Sequence, residues 1–103
     1  MTRVLIPLAP GFEELEAVTL IDLLRRAGIE VVTAGLEAGV IQASHGTRLM
    51  PDQPLDRVMD DDFDMIILPG GLPGSTNLDR DPRIHQLLAR HHAEDRFIAA
   101  ICA

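Results

Sequence analysis

Phe97-Ile98-Ala99-Ala100-Ile101-Cys102-Ala103 is the stretch from which the fold is read. Phe97 to Ile101 is short, uncharged and apolar, the pattern of a strand buried on both faces. Cys102, the only cysteine of the chain, stands at its end. Open α/β sheets gather their chemistry at the carboxyl ends of their strands. One residue follows the thiol. A buried strand needs elements to cover it, so the reading expects a domain that is incomplete at its C-terminus.

Working outward, the same pattern recurs. Arg3 to Leu8 reads as a strand with a β-favouring Val-Leu-Ile core. Glu13 to Ala27 reads as a helix, because Ala17, Leu20, Ile21 and Leu24 fall on one face. Glu13, Glu14 and Glu16 suit its positive N-terminal end, Arg25 and Arg26 its last turn, and Gly28 its stop. Ile29 to Ala34 is the next strand, which completes a βαβ unit with parallel strands. Val40–Ala43 and Thr47–Met50, split by Ser44-His45-Gly46, read as a small hairpin or an irregular excursion. A short helix at best is expected around Leu55–Met59. Asp64 to Leu68 is a further strand. It runs into Pro69-Gly70-Gly71, and Pro73-Gly74-Ser75 is read as more of the same loop. Pro82 to His92 is a helix with Ile84, Leu87, Leu88 and His91 as its apolar stripe, Asp81 as N-cap and Pro82 at the first helical position. The alternation implies one α/β domain over residues 1–103, with a parallel sheet and helices on both faces.

Composition removes several classes of function. With 47% hydrophobic and 24% charged residues over 103 positions, the chain is globular rather than disordered. Three Phe and no Tyr or Trp leave few platforms for stacking bases. A net charge of −7 without a basic stripe disfavours nucleic acid and anionic membranes as partners. All nine basic residues are Arg, so no lysine within these residues can form a Schiff base. A single cysteine makes neither an internal disulfide nor a four-cysteine zinc site. No stretch approaches the ~20 apolar residues of a membrane helix. Arg3 followed by Val4–Leu8 is interrupted by Pro7 and Pro10 and runs into glutamates, unlike a signal peptide. The expected compartment is the cytoplasm. Asp60, Asp61, Asp62 and Asp64 read as a solvated turn, since the alternating ligands and turn glycine of a calcium loop are missing.

All carboxyl ends of a parallel sheet lie on one edge, so topology brings three loops together: Gly11 with the glutamates, Gly70-Gly71, and Cys102. Cys102 has two readings, a small buried hydrophobe or a nucleophile on a tight strand-to-helix turn that Ala99, Ala100 and Ala103 permit. Gly70 and Gly71 are an ordinary turn or a pair of exposed N–H donors that form an oxyanion hole. Glu13 and Glu14 fit solvated helix-start acids. Glu16 leans toward the apolar face, where a carboxyl beside a thiol keeps its proton and serves as acid or base. His45, His85, His91 and His92 are read as exposed polar residues. Their spacing offers no chelating pair, so no metal is expected.

Pro10-Gly11-Phe12-Glu13-Glu14-Leu15-Glu16-Ala17, Leu68-Pro69-Gly70-Gly71 and Ala99-Ala100-Ile101-Cys102-Ala103 closely resemble, in this order, the ThiJ/PfpI superfamily. Leu24-Arg25-Arg26-Ala27-Gly28-Ile29 and Val32-Thr33-Ala34-Gly35 add to the match. Within it the chain resembles the Parkinsonism-associated deglycase branch. The intracellular peptidase branch places His directly after the nucleophile, where this chain has Ala103.

The resemblance implies a flavodoxin-like three-layer sandwich, similar to class I glutamine amidotransferases, and a homodimer. It implies Cys102 as nucleophile, Glu16 as the protonated glutamate that hydrogen-bonds the thiolate, and Gly71 and Ala103 as backbone donors to the reacting oxygen. The implied substrates are small dicarbonyls such as methylglyoxal or their protein adducts, with no cofactor. The family domain continues past Ala103 with the elbow helix, further strands and the catalytic His, so a second chain carrying that half is an implied partner. His45 stands where close relatives commonly have Arg. Two alternatives stay open: a redox-sensing holdase in which Cys102 becomes a sulfinic acid, and an inactive or cleaved fragment.

Overall fold

The computed structural model describes residues 2–101. Along the chain lie β1 (Arg3–Leu8), α1 (Glu14–Arg26), β2 (Glu30–Gly35), β3 (Ile41–Gln42), β4 (Arg48–Leu49), β5 (Gln53–Pro54), a 3₁₀ turn (Leu55–Arg57), β6 (Met65–Leu68), α2 (Gly74–Arg80), α3 (Pro82–Ala93) and β7 (Phe97–Ala100). Five strands form one sheet in the order β5-β2-β1-β6-β7, and each adjacent pair is parallel. β3 and β4 pair antiparallel, Ile41 opposite Leu49, so this segment is a small hairpin rather than an irregular excursion.

Alternation along β1 builds both cores. Val4, Ile6 and Leu8 face Ala17 of α1 and Ile41 of the hairpin, with Leu20, Ile21 and Leu24 packed alongside. Leu5 faces the other way, toward Leu78 of α2, Ile84 and Leu87 of α3, and Leu55, Val58 and Phe63. The result is three layers, helix–sheet–helix, with the sheet buried between them. The α1 boundaries follow from capping. The Glu13 side chain accepts from the Leu15 N–H at 3.2 Å, and the Ile29 N–H closes the C-terminus on the Leu24 carbonyl.

Two sequence expectations change. Pro73-Gly74-Ser75 does not prolong a loop: α2 begins at Gly74. Ser, Thr and Asn are weak helix formers, and tertiary contact overrides them. Gly74 packs so closely on Phe12 that an added Cβ would lie 2.7 Å from its backbone. The Gly74 N–H donates to the Gly11 carbonyl at 3.1 Å, and the Asn77 side-chain amide donates to the Pro10 carbonyl at 2.8 Å.

The second change concerns β7. It is an edge strand among the described residues, not one buried on both faces. Phe97 is 69% and Ile98 43% exposed, while Ala99 and Ile101 pack on the α1-side core. The outer edge of β7 and its Phe97–Ile98 surface have no cover among the described residues.

Candidate functional site at the β1–β6 crevice

The sheet order reverses between β1 and β6. β2 lies to one side of β1, while β6 and β7 lie to the other. Loops leaving two such strands diverge and open a crevice at their carboxyl ends. The segments singled out from sequence meet there. The Glu13 N–H donates to the Gly70 carbonyl at 2.9 Å, so the loop after β1 and the loop after β6 are joined backbone to backbone. Gly71 adopts φ 102°, and a Cβ there would sit 2.5 Å from the Glu13 nitrogen. Both facts restrict this position to glycine.

Glu16 lies one turn into α1 and is half-buried. Its Oε1 accepts the Gly70 N–H at 3.1 Å. The inward lean expected of Glu16 is therefore present, and its partner is the backbone of the glycine pair. Gly70, read as an oxyanion donor, directs its N–H at this carboxylate. The Ser75 hydroxyl donates to the Gly71 carbonyl at 2.8 Å, and the Ser75 N–H reaches the same oxygen at 2.9 Å. These two bonds orient the Gly71 peptide. The Ile101 N–H donates to the Leu68 carbonyl at 3.0 Å, which holds the chain beside the β6 end as far as Ile101. The expected roles of Cys102 and Ala103 lie outside the described residues.

Glu14 is not the solvated acid expected from its position. Its side chain is only 15% exposed. It accepts from the His45 N–H at 3.1 Å and the Thr47 N–H at 3.3 Å, and from the Ser44 hydroxyl at 3.2 Å. The His45 Nδ1 lies 2.8 Å away. Burial raises the Glu14 pKa, but hydrogen bonds from its own backbone N–H, His45 and Thr47 outweigh that and hold it at about 2. His45 is raised from its usual 6.5, first by the hydrogen bond to Glu14, then by the charges of Glu13 and Glu14. Glu14 thus fastens the β3–β4 turn to the start of α1. The signal for this lay in the turn Ser44-His45-Gly46-Thr47, whose His45 and Thr47 N–H groups take their acceptor from α1, and which the search for histidine spacing passed over.

Glu13, Glu14 and His45 each place one ligand atom within 4.8 Å of the others. The His45 and Thr47 N–H groups and the Ser44 hydroxyl already occupy the Glu14 carboxylate, and a protonated His45 makes an ion pair with it. His85 and His92 are exposed as expected; His91 is fully buried, contrary to expectation.

The fold finds its counterpart in known proteins. The DJ-1/PfpI family model matches residues 2–103. The chain belongs to this family. It falls in the DJ-1 branch, as the quoted motifs imply. It is 43% identical over 100 residues to protein dj-1beta of Drosophila melanogaster, covering 96% of this chain and 54% of that protein. It is 38% identical over 91 residues to the glutathione-independent glyoxalase DJR-1.2 of Caenorhabditis elegans, covering 88% of this chain and 48% of that protein. The solved structure of oxidized Toxoplasma gondii DJ-1 superposes with a TM-score of 0.97 at 39% identity, covering 100% of this chain and 56% of that one. The chain spans about half the length of these relatives. No helix of the described residues is long and apolar enough to cross a membrane.

Proposed function

We propose that this chain supplies the nucleophile half of a cysteine-dependent glyoxalase or deglycase, acting on methylglyoxal or on its adducts with proteins. The observation that carries the reading is the contact of Glu16 with Gly70 at the β1–β6 crevice. It sets a carboxyl group beside a glycine pair on the sheet edge toward which β7 leads. The glyoxalase named among the relatives supports the substrate class.

In this reading the Cys102 thiolate attacks the aldehyde carbon. A C–S bond forms, the carbonyl π pair moves to oxygen, and the resulting oxyanion takes a proton to give a hemithioacetal. The Gly71 and Ala103 amides stabilise the oxyanion. Glu16 handles the proton, and the family's histidine belongs to the half of the relatives' length that this chain does not span. Methylglyoxal consumption by the full-length protein tests the assignment. Cys102→Ser abolishes it if the reading is right, and full activity in that variant refutes it.

The reading includes a homodimer. Leu15, 74% exposed, and Val18 lie on the side of α1 opposite its core face, an apolar surface of the kind a protein partner covers. Sedimentation of the full-length protein as a monomer at micromolar concentration excludes it.

A further inference from the structure

An amide that stabilises a developing oxyanion must point at it beforehand, because reorganisation during the reaction would cancel the gain. Gly71 is poorly equipped to do this unaided. It has no side chain to pack and stands at φ 102°, in a region that glycine enters and leaves at no steric cost. Its two flanking peptides must be fixed from outside. The peptide that carries the Gly71 N–H is held at its other end, where the Gly70 carbonyl accepts the Glu13 N–H at 2.9 Å. One hydrogen bond leaves that peptide free to rock about the bond. The peptide on the far side of Gly71 receives two. The Gly71 carbonyl accepts the Ser75 N–H at 2.9 Å and the Ser75 hydroxyl at 2.8 Å. With both peptides set, the torsions at Gly71 have little slack, and the direction of its N–H follows.

Ser75 can serve as the anchor because it is itself anchored. It lies in the first turn of α2. The preceding Gly74 N–H donates to the Gly11 carbonyl at 3.1 Å, and the Asn77 side-chain amide donates to the Pro10 carbonyl at 2.8 Å. α2 therefore rests on the loop after β1 and reaches with Ser75 to the loop after β6, the two walls of the crevice. Within a helix, a serine hydroxyl bonded to the carbonyl four residues back acts on helix backbone. Gly71 lies outside α2, so here the same bond fixes a loop.

We propose that Ser75 is a positioning residue for the reaction: its hydroxyl, acting through the Gly71 carbonyl, keeps the Gly71 N–H aimed at the oxygen on which charge develops. The role of Gly71 in this inference rests on the proposed function; the hold of Ser75 on Gly71 rests on the distances alone.

Ser75→Ala in the full-length protein tests both parts. Alanine is the better helix former, so α2 survives the change. By NMR relaxation the Gly71 N–H order parameter falls from about 0.85 toward 0.6, while that of Gly35 in β2 stays constant. For methylglyoxal, kcat and kcat/KM fall together by about threefold to tenfold, the worth of one neutral hydrogen bond. Alkylation of Cys102 by iodoacetamide, which displaces iodide and builds no oxyanion, keeps its wild-type rate. Ser75→Thr retains a hydroxyl and restores both the order parameter and kcat. An unchanged Gly71 order parameter in the alanine variant overturns the proposal, as does unchanged kcat or an equal loss of turnover and alkylation. A wild type that does not consume methylglyoxal refutes the proposed function instead, and the order parameter still decides whether Ser75 holds Gly71.

Discussion

The carboxylate of Glu16 and the amide of Gly70, 54 residues apart in sequence, meet at 3.1 Å across the β1–β6 crevice. Neither residue carries the pairing alone. α1 presents Glu16 one turn beyond its Glu13 cap, and the Glu13 backbone grips the Gly70 carbonyl. Gly70 is therefore held through both of its backbone polar groups, its N–H by the Glu16 side chain and its carbonyl by the Glu13 backbone.

Replacing Glu16 separates its structural and chemical parts. Glu16→Gln keeps an oxygen to accept from Gly70, so thermal unfolding of the full-length protein should change little. Its methylglyoxal turnover should fall by about 10²–10⁴-fold, the usual contribution of a positioned acid–base group. Glu16→Leu removes the acceptor as well and should cost an additional ~1.5–3 kcal/mol of stability. Unimpaired turnover in the glutamine variant would remove Glu16 from the chemistry.

Gly71 answers a different question, whether the two loops tolerate separation. Gly71→Ala must place a side chain at φ 102° and drive it against the Glu13 nitrogen. The strain alone is about 1–3 kcal/mol, and the clash is with backbone that cannot swing aside. A marked fall in the urea midpoint is expected. Gly39→Ala, at φ 78° but with open space around it, isolates the strain from the clash. Equal losses in the two variants would show that the Gly71–Glu13 approach contributes nothing.

The sequence disclosed what is local or periodic. Val4, Ile6 and Leu8 announce β1 by alternation, and Asp81-Pro82 announces α3 by cap chemistry. Parallel topology then places the Gly11 and Gly70 loops on one edge, which the Glu13–Gly70 bond bears out. What stayed hidden depends on distant contacts. The start of α2 is set by Phe12 pressing on Gly74, and nothing between residues 73 and 80 records that. The Glu14 anchor needs the N–H groups of a turn about 30 residues away. His91 fitted the apolar stripe of α3 by position, while its residue type suggested exposure; packing decided for the stripe.

The Glu14–His45 pair predicts opposite behaviour on the two sides of neutrality. His45 has a raised pKa in the folded protein, so its contribution to stability is complete below ~6.5 and is lost as pH rises through the raised value. Glu14 is depressed to about 2, so its contribution is present above its usual 4.5 and disappears as pH falls toward 2. NMR titration should find His45 above 6.5 in the wild type and return it toward 6.5 in Glu14→Gln. A His45 that titrates identically in both proteins would dissolve the pair.

Asp81 offers a cap whose charge and geometry can be tested apart. Its Oδ1 accepts the Arg83 N–H at 2.9 Å at the start of α3, and its Oδ2 takes the Arg83 guanidinium at 2.6 Å. The Arg83 hydrogen bond, ahead of its charge, lowers the Asp81 pKa from 3.8. Stability from this pair is therefore present above 3.8 and drains away as pH falls through the lower folded value. Asp81→Ala should cost ~1 kcal/mol for the lost cap, or about 2–4 °C in Tm for a domain of roughly 150–250 residues. Asp81→Asn retains a capping oxygen and should recover much of that loss, but without the acid-dependent component. Arg83 keeps Asp56 and the Leu36 carbonyl as partners in both variants, so neither strands a buried guanidinium. If the asparagine variant loses as much as the alanine variant at neutral pH, the ion pair rather than the cap holds the start of α3.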